Sequence, residues 1–341
     1  MPEKIGKHTY KLNSHPSVLS WAAVAGKKEG EGPLGREFDK VYKDSLLGEK
    51  TFEKAETALQ KSAAALTLEK AELTPDKVDI AFAGDLLNQC IGSSFSQRDM
   101  NMPFAGLYGA CSTMALALAL AAFFADTGAV RYSLAATSSH FCSAERQYRY
   151  PLEYGGQRSP AAQWTVTGAG AALVGAHTEN KPFIEAVNFG RVCDYGVTDQ
   201  NNMGAAMAPA AAQTIFEFLN DTGSKPSDYD MILTGDLGKT GSALLCELMK
   251  REYGLDISPF HRDCGLMIFD LKKQDVHSGG SGCGCSASVL CSHILGGLQR
   301  GKYKKIMFAA TGALLSPTSM LQGESIPSIA HGIILSAGES E

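Results

Sequence analysis

Asp79-Ile80-Ala81-Phe82-Ala83-Gly84-Asp85-Leu86 and Asp230-Met231-Ile232-Leu233-Thr234-Gly235-Asp236-Leu237 are two versions of one phrase, 151 residues apart. Each is a short apolar run that stops at Gly-Asp, the pattern of a buried strand ending in a turn. A second echo sets Cys111-Ser112 beside Cys285-Ser286, and Ala135-Ala136-Thr137 beside Ala309-Ala310-Thr311, both at a spacing of 174. Equal spacing means that the helix and strand lying between have the same length in both copies. A third, weaker echo pairs Gly170–Ala176 with His331–Ala337. Internal repetition of this kind constrains the fold more than any single element does. Each copy reads strand, loop, Cys-Ser, helix, strand, returning strand, and the difference between the spacings puts an insertion in the second copy, within Lys239 to Ser281.

Helical spacing fills the remaining segments. Thr51 can cap a helix with Ala55, Leu59, Ser62 and Leu66 on one face, and Met207, Ala211, Ile215 and Leu219 repeat the pattern after the Asn201-Asn202 turn. The strands are continuously apolar rather than alternating, so helices should cover both faces of the sheets. The expected fold is a layered α/β body of two similar βα halves related by a pseudo-twofold axis. Residues 1–178 form one half and 179–341 the other, with the crossing at Glu179 to Pro182. Glu29 to Gly35 reads as a glycine-rich surface turn.

Composition removes several functional classes. A chain of 341 residues is long enough for a large core without staples. Its net charge of −5 offers no general field for nucleic acid. The nine cysteines include no C-x-x-C pair, which points to free thiols in a reducing compartment. Met1 to Tyr10 lacks the apolar core of a secretory signal, so a cytoplasmic origin is expected. Met114 to Ala125, the most apolar segment, is shorter than the roughly 20 residues of a bilayer span, so it should be a buried helix, and any membrane association peripheral. Gly279 to Gly284 lacks the Lys-Ser/Thr ending of a phosphate loop, and no acidic run has calcium-loop spacing.

Cys111 carries the best chemical signal. It follows the small-residue turn Gly106-Leu107-Tyr108-Gly109-Ala110 and opens the apolar helix, where the positive end of the dipole can activate a thiol. A packed, inert cysteine is the competing reading. A nucleophilic thiol needs a base, and His140, just past the Ala135-Ala136-Thr137 strand, is the nearest candidate, although it could equally cap a strand end. Independently of catalysis, helices starting near Cys111 and Cys285 could aim their N-termini at one cavity suited to a small carboxylate.

The duplicated halves, together with a cysteine at the mouth of a buried helix, resemble the thiolase superfamily, in particular its ketoacyl synthase III branch, over almost the whole chain. The stretches Lys28–Gly35, Glu53–Glu56, Phe82–Gln89, Gly109–Thr113 and Met203–Pro209 narrow the likeness to a family of stage V sporulation proteins from spore-forming bacteria. That resemblance implies a protein that binds dipicolinate, alone or as its calcium chelate, for uptake into the developing spore. It also implies other stage V sporulation membrane proteins as partners, a peripheral position at the forespore or spore inner membrane, and a homodimer. Catalytic relatives carry a histidine where Gly235 or Asp236 stands here, and their second partner falls at Cys283 or Cys285. Phe141 to Thr167 is about 27 residues, too short for the coenzyme A loop domain of thiolases. The resemblance therefore implies a non-enzyme with a vestigial nucleophile at Cys111, and no resident metal or cofactor. Its ligand would lie among Cys111, His140, Asp236, Lys239, Cys283, Cys285 and Gly312, with Lys239, Arg149 or Arg158 as counter-charges. The alternative is an active acyltransferase using Cys111. A lost base costs about 10²–10⁴-fold in rate, while an anion site keeps its donors.

Overall fold

Two five-stranded mixed sheets follow directly from the repeated phrases. The structure, a computed structural model, describes residues 1–148 and 158–338. In the first half β1 (Ser17–Ala25), β2 (Ile80–Gly84), β3 (Phe104–Gly106), β4 (Tyr132–Ser139) and β5 (Gly168–Gly175) assemble in the order β1-β5-β4-β2-β3. In the second half β6 (Phe183–Asn188), β7 (Met231–Thr234), β8 (His261–Asp263), β9 (Lys305–Ala313) and β10 (Ser328–Ser336) take the equivalent order β6-β10-β9-β7-β8. Both sheets run antiparallel through the returning strands β5 and β10, and parallel from β4 or β9 outward. They meet at one corner, through the single register pair Phe183 and Ser17.

Helices complete five layers. α1 (Phe52–Lys70) and α2 (Ile91–Met100) cover the outer face of the first sheet, and α5 (Met203–Thr222) and α6 (Gly238–Tyr253) that of the second. Between the sheets lie α3 (Thr113–Asp126) and α7 (Cys283–Val289), the latter prolonged by a π-helical turn, Leu290–Ile294, and a last α-helical segment, Leu295–Gln299. The central position explains why α3 is apolar nearly all round: it packs on strands of both sheets, so only its ends see water. Small residues make that layer thin. A side chain at Gly170 would meet the Ala287 carbonyl at 2.4 Å, and one at Gly284 the Gly168 carbonyl at 2.5 Å. α4 (Phe141–Tyr148) lies outside these layers, beside α1, and becomes important below.

Local chemistry sets the ends. The Thr51 hydroxyl accepts from the Lys54 amide at 3.3 Å as the N-cap of α1, and α5 ends at Gly223 in the left-handed conformation, φ 64°. The insertion in the second copy lies within the expected stretch. α6 has 16 residues where α2 has 10, and a further helical turn, Cys264–Met267, has no counterpart in the first copy. Glu29 to Gly35 is the expected turn only in part: Lys27–Gly30 is one helical turn with Glu29 buried, its carboxylate accepting from the Thr167 amide at 2.9 Å, and the turn follows over residues 31–35, where Glu31 and Pro33 are exposed. Strand Thr9–Lys11 pairs with β6, so the chain begins against the second sheet before it enters the first. Among the described residues no helix is long and apolar enough to cross a membrane, and all nine cysteines are free thiols.

Candidate functional site

Cys111 sits where β4, β9 and the starts of α3 and α7 converge. The turn that presents it is strained: Ala110 adopts φ 48°, a left-handed conformation that a Cβ disfavours, and Ala110–Ser112 forms a 3-10 turn before α3 begins at Thr113. Hydrogen bonds hold the turn, with Ser112 Oγ donating to the Gly109 carbonyl at 2.6 Å and Thr113 Oγ1 to that of Ala110 at 2.6 Å. Gly312 on β9 is required by this geometry, because a Cβ there would lie 2.2 Å from the Gly109 carbonyl oxygen.

Opposite the sulfur stands a carboxylate. Asp236, fully buried at the end of β7, accepts from the Gly282 amide at 2.8 Å and from Thr311 Oγ1 at 3.2 Å, and its charge acts on the Cys111 thiol. Burial, and then the negative neighbour, push the Cys111 thiol well above its ordinary value, the reverse of what an imidazolium would do. Burial likewise raises Asp236 to about 7. The amide at the start of α7 therefore already serves an internal anion. Asp236 is free for that role because Asp263, at the end of β8, holds the loop after β7 through the Leu237 amide at 2.8 Å and the Gly238 amide at 3.0 Å.

A narrow cleft leads to Cys111, lined by Leu86, Ala110, Ala144, Tyr148, Thr165, Met203, Ser281, Gly282, Ala313 and Leu315. Its free volume is only about 40 Å³, room for a few waters, so a ring-sized ligand requires the lining to move. The lining is apolar with a few hydroxyls, and includes no cationic side chain among the described residues. Tyr148, on α4, spans the mouth: its hydroxyl donates to the Leu86 carbonyl and lies 3.4 Å from that of Tyr108, which donates in turn to the Leu315 carbonyl at 3.4 Å.

The residues expected at the site separate into two groups. Cys111, Asp236 and Cys283 come together, and Gly312 packs beneath them. Leu86, Cys111, Ala144 and Cys283 form one buried cluster, in which the Cys283 thiol donates to the Ser138 carbonyl at 3.0 Å. The others lie elsewhere. His140 lines a separate, wider cavity of about 590 Å³, where Nε2 donates to the Ser45 carbonyl at 2.8 Å and Nδ1 accepts from the Cys142 amide at 3.1 Å, leaving neither nitrogen for Cys111. Cys285 is buried in the central core, since the second helix starts at Cys283 and carries residue 285 past its open end. Lys239 is exposed and outside the cleft lining. Arg158 lies over the Trp164 ring, 5.1 Å from its centroid, and donates to the Gln163 carbonyl. Arg149 lies outside the described residues. Sequence reading missed Leu86, Tyr148, Met203 and Leu315, whose apolar character carries no signal of a cleft until the halves close on one another.

This fold and site can be placed among known proteins. Residues 6–336 match the family model described as stage V sporulation protein AD. The chain belongs to that family. It is 45% identical over 329 residues to stage V sporulation protein AD of Bacillus subtilis (strain 168), covering 96% of each chain. Among solved structures it is similar to 3-oxoacyl-[acyl-carrier-protein] synthase III from Aquifex aeolicus VF5 (TM-score 0.57, 13% identity, 94% of this chain and 99% of that one). It is also similar to the C143S form of Xanthomonas campestris OleA with bound lauric acid and lauroyl-CoA (TM-score 0.60, 13% identity, 94% and 99%). At these identities the structural likeness establishes the thiolase-like fold alone. In this chain the fold carries a cysteine beside an aspartate.

Proposed function

We propose that the cleft at Cys111 is a receptor for dipicolinate, free or as its calcium chelate, and that the protein serves uptake of this ligand into the developing spore without catalysing a reaction. The observation that carries the reading is Asp236. A carboxylate facing the thiol opposes thiolate formation, so the nucleophile is disabled while the cleft persists. Tyr148, Leu86, Met203 and Leu315 offer faces to a planar ring, and Thr165 and Ser281 offer polar contacts to its carboxylates. The chelate suits this lining at least as well as the free dianion above pH 7, because calcium neutralises the charge that Asp236 would repel.

The wider role follows from the family. Other stage V sporulation membrane proteins are the proposed partners, at a peripheral position on the forespore membrane. A homodimer through the edge strand β3, which is the outermost strand of its sheet, is part of the same reading. Isothermal titration with dipicolinate, with and without calcium, tests the receptor, using Ala144→Phe to fill the cleft and its thermal melt to confirm folding. Binding to the native chain that Ala144→Phe abolishes is the expected outcome. Silence at millimolar ligand overturns it, and a stable acyl adduct on Cys111 after incubation with acyl-coenzyme A would favour the acyltransferase instead.

A further inference from the structure

Behind the cleft wall lie two buried carboxyls that the receptor reading leaves unused. Glu56 on α1 and Asp85 after β2 are both inaccessible to solvent, and a Cβ on Gly92 would lie 3.2 Å from Asp85 Oδ2 and 3.6 Å from Glu56 Cγ. Each holds one lip of the cleft. Asp85 accepts from the Leu87 amide at 2.9 Å, fixing the Leu86–Asn88 lip, and from the Ser93 amide and hydroxyl, both at 2.7 Å. Glu56 meets Ser143 Oγ at 2.6 Å, which anchors α4 and with it Ala144 and Tyr148. The lips are also tied to one another: Gln147 donates to the Leu86 carbonyl at 3.1 Å and accepts from the Asn88 amide at 2.9 Å, beside the Tyr148 bond to Leu86.

Hydrogen-bond accounting locates a proton in this joint. Every partner of Asp85 is a donor, which favours its ionised form against the burial that raises it. Ser143 Oγ has one hydrogen but two oxygen neighbours, Glu56 at 2.6 Å and the His140 carbonyl at 3.0 Å. A carbonyl cannot donate, so both contacts are hydrogen bonds only if Glu56 carries the second proton. Burial, and then the Asp85 charge, hold Glu56 in that protonated state well past the ordinary carboxyl range. The remaining neighbours supply no cation to the joint. Glu53 on α1 pairs with Arg146 at the surface, while Cys90 after β2 and Cys283 at the start of α7 are thiols that burial keeps protonated. A crevice of about 330 Å³, lined by Leu87, Asn88, Ile91, Ser143, Gln147 and the Glu53–Arg146 ion pair, lies over the seam between the lips and gives water a route to it.

We propose that Glu56 and Asp85 are positioning residues whose one proton, held by Glu56, latches the two lips of the cleft. Losing that proton places two charges side by side in a dry joint, and hydrating them through the crevice parts Leu86–Asn88 from α4. The cleft then opens as pH rises and closes as it falls, which couples ligand entry to proton release. This regulation rests on the receptor reading, but the latch has a readout that needs no ligand.

Hydrogen–deuterium exchange over residues 86–92 and 141–148, corrected for intrinsic rates between pH 6 and 9, reports the seam directly. Protection in the native chain should fall about tenfold across that range, as for an opening linked to one proton. Glu56→Gln should keep high protection throughout, and Ser143→Ala should show low protection already at pH 6. A protonated-carboxyl infrared band in the native-minus-Glu56→Gln difference spectrum, diminishing as pH rises, checks the proton itself, since the raised Glu29 and Asp236 carboxyls are common to both chains. Association rates for dipicolinate, followed by tryptophan fluorescence, should rise with pH in the native chain and stay flat in Glu56→Gln. Unchanged protection from pH 6 to 9, or a pH response that survives in Glu56→Gln, overturns the latch. No dipicolinate signal at any pH, with the exchange behaving as described, removes the ligand reading and leaves the latch standing.

Discussion

Asp85 and Asp236 occupy the same position in the two halves, and they do different things. Asp85 turns to its own loop and accepts from Leu87 and Ser93. Asp236 turns to the centre of the molecule, accepts from Gly282 and Thr311 and acts on the Cys111 thiol, because Asp263 has taken over the loop-holding role in the second half. One added carboxylate, brought by the larger second copy, frees its neighbour to face the thiol. Duplication thus supplies two similar frames, and the divergence of a single polar contact decides which frame carries the site.

That comparison breaks or sharpens with substitution. Asp263→Ala should be the most damaging change, about 3 kcal/mol or more, because it strands two buried amides and the Thr234 hydroxyl at once; the midpoint of urea unfolding measures it. Asp85→Ala should cost less, about 1–2 kcal/mol by the same measurement, since losing its bonds is offset by relieving Glu56 of a like charge. If Asp85→Ala proves the worse of the two, the loop-holding roles have been assigned the wrong way round.

Stability against pH separates the two aspartates further. Burial raises Glu29 and Asp236 to about 7 and Asp263 to about 6, and lowers His261 and His331 to about 4. A carboxyl with a raised value keeps a proton in the folded chain that the unfolded chain loses near pH 4, so stability falls as pH climbs toward the folded value. The two buried histidines do the reverse, adding stability as pH climbs from about 4 to 6.5. Glu56, raised as well, joins these three carboxyls against the two histidines, so a net fall should run from about pH 5 to 7. Asp236→Asn should flatten that fall by one proton, about 1.4 kcal/mol per pH unit at most, in denaturation midpoints across the range. At the small end, Lys239→Ala should change dipicolinate affinity less than about twofold, because the side chain points to solvent outside the cleft.

The frame was legible in the sequence and the wiring was not. Gly84-Asp85 and Gly235-Asp236 announce two strand ends, and the apolar run after Cys111 announces a buried helix, because both signals are local. His140 was open to misreading: it does end a strand, but the chain turns its ring toward Ser45, on the far side of α4 from the cleft. Lys239 follows a site residue by three positions, yet the first turn of α6 carries it outward. Glu56 and Asp85 are 29 positions apart, and nothing in either neighbourhood reveals that they share a joint. Gly235 and Asp236 were equally plausible opposite the thiol until the register of β7 chose between them.

The central claim is that Asp236 holds the Cys111 thiol in its neutral, unreactive form. The pH dependence of Cys111 alkylation by iodoacetamide, read by peptide mass spectrometry in the native chain and in Asp236→Asn, tests it most directly. The native rate should still be climbing beyond pH 9, and the Asp236→Asn profile should move to lower pH. A native rate that has already levelled off by pH 7 would show a standing thiolate and contradict the account.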